Sequence, residues 1–179
     1  MRIIGGRHRG RKLAEFPGDD IRPTADRVKE SLFNILSSKV AGASVLDLFC
    51  GSGSLGLECI SRGAASVHFN DVSKDSLAVL KKNLACVKEE GTVTNCGYLA
   101  CLSQTTFKYD LIFIDPPYRF EYGAPALEAI ARRGLLNDGG VAVYERDRAF
   151  VGQVEGLELY DERKYGKTYL SFFKNIKNN

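Results

Sequence analysis

The chain has 179 residues, of which 44% are hydrophobic and 26% charged, and its 25 basic and 22 acidic side chains leave a net charge of +3. A chain of this length buries roughly 70% of the surface of its unfolded form, so we expect a single domain over residues 1-179. The apolar content excludes a disordered protein, and no apolar run reaches the ~18 residues of a membrane span or the core of a signal peptide. We therefore expect a cytoplasmic protein, and a monomer.

The cysteines favour neither a disulfide framework nor a zinc site. They are odd in number, form no Cys-x-x-Cys pair and have no nearby histidine, and they stand at Cys50, Cys59, Cys86, Cys96 and Cys101. We expect reduced thiols in core positions and no metal.

The positive charge is concentrated at the start of the chain. The first twelve residues carry no acid and five cations: Arg2, Arg7, Arg9, Arg11 and Lys12. This segment has a charge of +5, and the other 20 basic and 22 acidic residues sum to −2. With its glycines the segment is typical of a short β hairpin or extended arm, over residues 1-16. Such a segment is either a solvated tail or a surface that contacts RNA phosphates, and we favour RNA contact.

The next segment predicts a helix over residues 22-38. Thr24 can cap it, and an apolar stripe at helical spacing predicts one buried face, formed by Val28, Leu32, Ile35 and Leu36.

From residue 44 short apolar runs alternate with helical segments. Strands are predicted over 44-49, 66-70, 93-96, 109-114 and 141-145, and helices over 54-62, 73-88 and 125-133. Continuous apolar strands between helices indicate a parallel sheet covered on both faces. Two further strands, 157-165 and 168-175, are joined too tightly to be parallel. The predicted fold is a doubly wound, mostly parallel α/β domain, 44-179, that ends in an antiparallel hairpin.

A glycine-rich loop follows the first strand of this domain. Gly51, Gly53 and Gly56 form a Gly-x-Gly-x-x-Gly pattern, and Asp71 ends the second strand 20 residues after Gly51. Glycines allow close approach to a ligand, and an acid at that place accepts hydrogen bonds from ribose hydroxyls. The spacing predicts a nucleoside cofactor but leaves NAD and S-adenosylmethionine open. A carboxylate at Asp47 favours the cationic amino-acid end of S-adenosylmethionine over a pyrophosphate.

A second candidate site follows the fourth strand, at Asp115, Pro116, Pro117 and Tyr118. The fourth strand should lie beside the first in a doubly wound sheet, so this site should open at the same edge as the glycine loop. A diproline can simply end a strand. It also offers a rigid carbonyl which, with Asp115, can accept from an exocyclic NH2 group while Tyr118 stacks on the ring. Two acceptors favour a pyramidal nitrogen whose lone pair is free to attack a methyl sulfonium. Whether Asp115 also takes the proton stays open.

These motifs resemble a known family. Asp-Pro-Pro-Tyr after a strand, with an upstream Asp-x-Phe-x-Gly-x-Gly loop, is similar to class I S-adenosylmethionine-dependent methyltransferases that act on amino groups of bases. The start Met-Arg-Ile-Ile-Gly-Gly, the segments 9-13 and 22-36, and Tyr-Gly-Lys-Thr at 165-168 resemble the bacterial RsmD family of 16S ribosomal RNA guanine-N2 methyltransferases. The resemblance runs nearly end to end.

The resemblance implies S-adenosyl-L-methionine as cofactor and 16S ribosomal RNA, within a small-subunit assembly particle, as partner. The implied cofactor residues are Asp47, Phe49, Gly51, Gly53, Asp71, Val72, Gly97, Tyr98 and Thr24. The residues expected to hold the target guanine, which must be flipped or unpaired, are Asp115, Pro116, Pro117 and Tyr118. The expected RNA contacts are Arg2, Arg7, Arg9, Arg11, Lys12 and Arg27.

Two positions depart from the pattern, and rival functions remain. Gly97 stands where an acid often meets the adenine amine, and Asp71 replaces the usual glutamate. The loop chemistry suits an adenine or another base amine equally well. A dehydrogenase would need a catalytic His, Tyr/Lys or Cys set, for which the sequence offers no clear candidate. An RNA-binding module without activity would leave both loops unexplained.

Overall fold

A computed structural model describes residues 1–15, 23–117 and 121–176 of the chain, without the side chains of residues 23–25. Its strands are β1 Ser44–Asp47, β2 Ser66–Asn70, β3 Thr92–Thr94, β4 Tyr109–Ile114, β5 Leu136–Arg146, β6 Leu157–Tyr165 and β7 Thr168–Asn175. Its helices are α1 Pro23–Ile35, α2 Ser37–Val40, α3 Ser54–Ser61, α4 Lys74–Val87, α5 Tyr98–Gln104 and α6 Gly123–Arg133. No helix in these ranges is long and apolar enough to cross a membrane.

The strands form a sheet in the order β3-β2-β1-β4-β5-β7-β6. Strands β1 to β5 are parallel, and β7 pairs antiparallel with both β5 and β6. The predicted fold class is confirmed, including the position of β4 beside β1. Because successive side chains of a strand point to opposite faces, the sheet has two cores. Val45 and Phe113 pack on the side of α1, α3 and α4, while Leu46 and Ile112 pack on the side of α5 and α6.

Several elements differ from their predicted extent. The sequence predicts one helix over 22–38, whereas the structure has α1 and the separate four-residue α2. The inward position predicted for Ile35 is wrong, because the buried stripe is centred on Leu32 of α1 and on Leu36, which follows α1, and it extends towards Phe33. Ile35 therefore lies at its edge and is 37% exposed. The seven-residue α5 was not predicted, and β5 begins at Leu136 rather than Val141, before an irregularity in its pairing with β4.

The cysteines only partly occupy core positions. Cys50, Cys59 and Cys101 are buried, Cys96 is partly exposed and Cys86 is exposed. All five are free thiols. Burial raises the pKa of the Cys59 thiol well above its ordinary value, so this group stays protonated and unreactive.

The basic N-terminal segment is a hairpin that packs on α3. Arg2 and Lys12 form an antiparallel bridge, and the fully buried Ile3 anchors the first strand in the core. The turn approaches α3 so closely that a Cβ on Gly6 would lie 1.9 Å from the carbonyl oxygen of Ser61. Gly6 also has a φ of +75°, which disfavours a side chain independently of the contact.

A glycine in the same hairpin provides a matched control for this contact. Gly10 has a φ of +83° but open space around its Cβ position. We expect Gly6→Ala to detach the hairpin and speed hydrogen exchange at the amides of Ile4 and Gly5 by at least tenfold. Gly10→Ala should lower the free energy of unfolding by only about 1 kcal/mol, because of its positive φ. It should leave the Ile4 and Gly5 amides nearly as protected from exchange as in wild type. Equal exchange in the two variants would contradict the close contact.

Candidate active site

Three carboxylates meet at one edge of the sheet. Asp47 ends β1, Asp71 follows β2 and Asp115 follows β4, and these strands are parallel neighbours. Parallel strands end at the same edge, which is where doubly wound sheets bind their ligands. The charges lie close enough to repel, since Asp47 raises the pKa of Asp115 and Asp71 raises that of Asp47. The structure thus has the glycine loop and Asp115 at one edge of the sheet, as the predicted position of the fourth strand beside the first requires.

The glycine loop joins β1 to α3 through a tight turn. The Gly53 N–H donates to the Cys50 carbonyl at 2.7 Å, and Gly51 and Gly53 have φ values of +53° and +89°. The glycines have different roles, because a Cβ on Gly53 would lie 2.4 Å from Leu80 Cδ1 whereas a Cβ on Gly51 would meet nothing within 4 Å. Gly53 allows α4 to pack closely, and Gly51 leaves open space beside the loop.

Asp47 is buried at the floor of this site, with only 2% of its surface exposed. Its Oδ2 accepts a hydrogen bond from the Gly56 N–H at 2.9 Å, and no cation of the described residues lies within ion-pair distance. Burial raises its pKa to about 7 although the Gly56 bond opposes this, and the charge of Asp71 adds to the rise. A cation arriving beside Asp47 would relieve this penalty.

Asp71 connects the end of β2 to the glycine loop. Its Oδ2 accepts from the Gly51 N–H at 2.9 Å, and its Oδ1 accepts from the Ser73 N–H at 2.8 Å. Asn95 donates to the carbonyls of Asp71 and Val72, which holds the residues after β2 in place. Each carboxylate oxygen of Asp71 retains a free lone pair, so it can also accept from ribose hydroxyls.

An apolar surface lies next to Asp71. The side chain of Val72 is 74% exposed, which is unusual for a large aliphatic group. Gly97, which lies three residues after the neighbouring β3 and directly before α5, has open space where a Cβ would be. The two positions flank a place where a flat ring system could lie. No carboxylate is present at Gly97, as the sequence indicates.

Three aromatic rings line the mouth of the site. The centroid of Phe49 lies 5.4 Å from that of Tyr98 and 6.3 Å from that of Tyr122, and the two tyrosines are 5.1 Å apart. Burial, and to a lesser extent Tyr122, raises the pKa of Tyr98, so the hydroxyl stays protonated. Phe49 and Tyr98 were predicted site residues, whereas Tyr122 was missed. The sequence could have indicated Tyr122, because this residue stands directly before α6, at the end of the loop that begins with Asp115.

Asp115 is half-buried and Pro116 is buried, while Pro117 is exposed. Desolvation raises the pKa of Asp115 well above its ordinary value, and the carboxylates of Glu145 and Asp47 add to the rise. Its ionised form is therefore stabilised by any cation that enters the site. Sequence reasoning missed Glu145, which lies on the neighbouring β5. The predicted residue Tyr118 lies outside the described residues.

The predicted contributors from α1 are not brought to the site by any described contact. The side chain of Thr24 lies outside the description, and Arg27 is exposed. The helix is instead tied down by Lys29, which is 6% exposed. Lys29 Nζ donates to the Arg2 carbonyl at 2.7 Å and to the hydroxyl of Ser54 at 3.2 Å. It thereby fixes α1 beside the start of α3.

The tip of the N-terminal hairpin and its two ends lie at different distances from the site. Because α3 runs away from the site, its last residue, Ser61, is roughly 10 Å from its start at 1.5 Å per residue. The Arg7 N–H donates to the Ser61 carbonyl at 2.8 Å, so the tip of the hairpin lies at the opposite edge of the sheet. The ends of the hairpin are nearer the site, since the Ser52 hydroxyl contacts the sulfur of Met1.

Two of the five hairpin cations are already paired. Arg2 lies 3.2 Å from Asp26, and Arg7 lies 2.9 Å from Glu89. Three exposed cations have no carboxylate within 4 Å among the described residues: Arg9, Arg11 and Lys12. These three retain charge that an external anion could meet.

Comparison with known proteins places this geometry in a family. The family model described as "Conserved hypothetical protein 95" matches residues 1–174. The Ribosomal RNA small subunit methyltransferase D of Haemophilus influenzae is 38% identical over 153 residues, which cover 83% of this chain and 79% of that protein. A solved structure titled "Putative methyltransferase yhhF from Escherichia coli" is 34% identical, with a TM-score of 0.87 and coverage of 98% and 97% of the two chains.

The chain is therefore a member of a methyltransferase family with the class I fold. More particularly, it belongs to the family of the ribosomal RNA small subunit methyltransferases D, as the sequence motifs predict. A more distant structure with the same fold, 16% identical with a TM-score of 0.64 over 86% of this chain and 50% of that one, is titled as complexed with SAH. S-adenosylmethionine is the cofactor that membership of this methyltransferase family implies.

The residues present fit this cofactor. The buried carboxylate of Asp47 has no cationic partner, Gly51 leaves room beside the loop, and Asp71 has spare acceptor capacity beside the exposed Val72. Among the described residues, no cluster of three or more His, Cys, Asp or Glu could hold a metal ion.

The raised pKa of Asp47 predicts a pH-dependent stability. Its folded-state pKa of about 7 exceeds the ordinary 3.8, so the folded protein binds more protons between these values. The free energy of unfolding should fall with rising pH over this window, by up to roughly 4 kcal/mol in total. Asp47→Asn should remove this contribution and leave only the fall that Asp115 causes, whereas the exposed control Asp138→Asn should retain both. Urea unfolding at several pH values checks this, and parallel curves for wild type and Asp47→Asn would refute it.

Proposed function

We propose that this protein transfers a methyl group from S-adenosylmethionine to the exocyclic N2 amine of a guanine in 16S ribosomal RNA. The proposal rests on the placement of Asp115 at the same edge as Asp47 and Asp71. The family relationship supports ribosomal RNA as the substrate, because the Haemophilus relative carries that substrate in its name. A cation that enters the site favours the ionised form of Asp115. Binding of the cationic methyl donor therefore also makes Asp115 a hydrogen-bond acceptor for the amine.

The residues of the first site bind and orient the cofactor, which supplies an electrophilic methyl group. Asp47 pairs with its cationic amino-acid end, and Asp71 accepts from the ribose hydroxyls. The open side of Gly51 admits the ligand backbone, while Val72 and the Gly97 segment flank the adenine. Tyr98 and Phe49 close the apolar side of the site.

The residues of the second site prepare the nucleophile. The amine of guanine is weakly nucleophilic because its lone pair is delocalised into the ring. Asp115 and the Pro116 carbonyl accept its two hydrogens, which favours a pyramidal nitrogen and directs the lone pair towards the methyl group. One N–H proton leaves after transfer, and the raised pKa of the Asp115 carboxyl group suits the carboxylate to accept that proton.

Substitution of Asp115 tests its role directly. We expect Asp115→Ala to lower kcat by on the order of 10²–10³, the usual cost of losing an electrostatic partner of the transition state. Asp115→Asn should retain part of the activity because it keeps one acceptor, and the exposed control Asp138→Asn should be unaffected. Cofactor affinity, measured by calorimetry, should fall by a smaller factor than kcat. An Asp115→Ala variant with normal kcat would refute the assignment.

The base and the atom are identified by mapping modified nucleosides. We expect N2-methylguanosine in 16S ribosomal RNA after incubation with the protein, and faster reaction on a small-subunit assembly particle than on protein-free RNA. An adenine or cytosine amine presents the same two hydrogens to Asp115, and methylation there would overturn the choice of guanine. Absence of transfer to any ribosomal substrate would favour an RNA-binding module.

The unpaired cations of the hairpin are expected to bind RNA phosphates. Replacing Arg9, Arg11 and Lys12 by Gln should lower the slope of log affinity against log salt by roughly 0.7–0.9 per lost contact. Arg7→Gln should have a smaller effect, because Glu89 already neutralises this side chain. Filter binding between 50 and 200 mM salt measures the slopes. An unchanged slope in the triple variant would exclude the hairpin from the RNA interface.

A further inference from the structure

A row of three side chains crosses the end of the sheet beyond β5. Arg146 pairs with Tyr169 across β5 and β7, and Tyr169 pairs with Lys164 across β7 and β6. Residues directly opposite each other in a ladder have side chains on the same face, and adjacent strands are about 4.8 Å apart. The row therefore spans about 10 Å on one face of the sheet.

This row lies at the edge that carries the candidate active site. In the parallel pair of β4 and β5, Ile114 is opposite Tyr144. Arg146 follows Tyr144 by two residues, as Pro116 follows Ile114, so Arg146 stands beside the loop expected to hold the target base. The N-terminal hairpin packs on α3, on the other side of that loop and on the opposite face of the sheet.

The acids near the row are mostly engaged elsewhere. Glu162 accepts from the Phe150 N–H and the Ser171 hydroxyl, Asp161 pairs with Arg163, and Glu121 pairs with Arg148. The remaining acids nearby are the exposed Asp147, and Glu145, which acts on Asp115. Three cations have no carboxylate within 4 Å among the described residues: Arg146, Lys164 and the exposed Lys167.

Aromatic rings hold two of these cations. The Arg146 guanidinium carbon lies 5.1 Å from the ring centroid of Tyr144 and 5.6 Å from that of Phe150. Its Nε is buried and has no hydrogen-bond partner within the described chain. Lys164 Nζ lies 5.2 Å from the ring centroid of Tyr169. Cation–π contacts orient a charge without neutralising it, so these groups remain able to meet an anion.

We propose that Arg146, Lys164 and Lys167, with the ring of Tyr169, form a second RNA-binding surface. This surface would bind the single-stranded backbone next to the target nucleotide, on the side of the base loop opposite the hairpin. Cations interleaved with aromatic rings are typical of surfaces that track single-stranded nucleic acid. The hairpin turn at Gly166, which has a φ of +60°, places Lys167 beyond the strand ends. It rests on RNA being the substrate.

The exposed lysines allow a test that leaves the core untouched. The variant is Lys164→Gln with Lys167→Gln, and the control is Lys81→Gln with Lys108→Gln, which removes the same charge from exposed positions on α4 and before β4. Each is tested for methyl transfer to 16S ribosomal RNA and for binding of a 12-nucleotide oligouridylate at several salt concentrations. Thermal unfolding verifies that both variants fold.

For Lys164→Gln with Lys167→Gln, we expect the salt slope for the oligonucleotide to fall by about 0.7 per contact, or roughly 1.4 for two. The KM for RNA should rise several-fold with kcat unchanged, and the control should match wild type. Equal slopes and equal KM values in variant and control would overturn the proposal while methyl transfer by wild type persists. Absence of wild-type transfer to any RNA would instead refute the proposed function. A raised KM for ribosomal particles alone, with normal binding of oligonucleotide and naked RNA, would assign the surface to a protein partner.

Discussion

The parallel pairing of β1, β2 and β4 forces three carboxylates to the same edge of the sheet. Asp47, Asp71 and Asp115 end or follow these strands, and desolvation makes the charges of Asp47 and Asp115 costly. Asp71 has two backbone N–H donors, whereas Asp47 has one and Asp115 is near Glu145. The contacts between described residues do not offset the cost of ionising Asp47 and Asp115. The site is completed by a cation from outside, which is what the methyl donor provides.

A second buried carboxylate fixes the N-terminal segments against this site. Glu58 is fully buried on α3 and accepts from the N–H groups of Ile4 and Gly5, each at 2.8 Å. Arg62 donates to it at 2.8 Å, and Lys29 lies 3.6 Å away. These partners hold the hairpin and α1 on α3. The basic segment is therefore a fixed surface, and its unpaired cations keep a constant relation to the crevice.

Local sequence patterns predict much of this fold. The bounds of β2, β4, β6 and β7 follow from apolar runs and glycine turns, and the glycine loop predicts the place of Asp47 and Asp71. Helix α5 was missed because seven residues are too few to show a helical period. These elements depend on near neighbours in the chain, which is why the sequence alone predicts them.

Contacts between distant segments could not be predicted in this way. From the sequence alone, Glu58 is expected to be an exposed acid on a helix. In the structure it is buried, because residues 4 and 5 cover it. The direction of the hairpin tip depends on Ser61, and Tyr122 contacts the rings of Phe49 and Tyr98, which are distant in sequence. Family resemblance supplied the substrate class, which no residue pattern in the crevice specifies.

The most direct test of the central claim is proton exchange on ligand binding, measured by calorimetry in buffers of different ionisation enthalpy. SAH and 5′-methylthioadenosine share the adenosine thioether, but only SAH has the cationic amino-acid end. At pH 6, where Asp47 with a pKa of about 7 is mostly protonated, SAH should release most of one proton. Methylthioadenosine should release none, and SAH should release fewer protons with the Asp47→Asn variant than with wild type. Equal proton release with the two ligands would contradict the account.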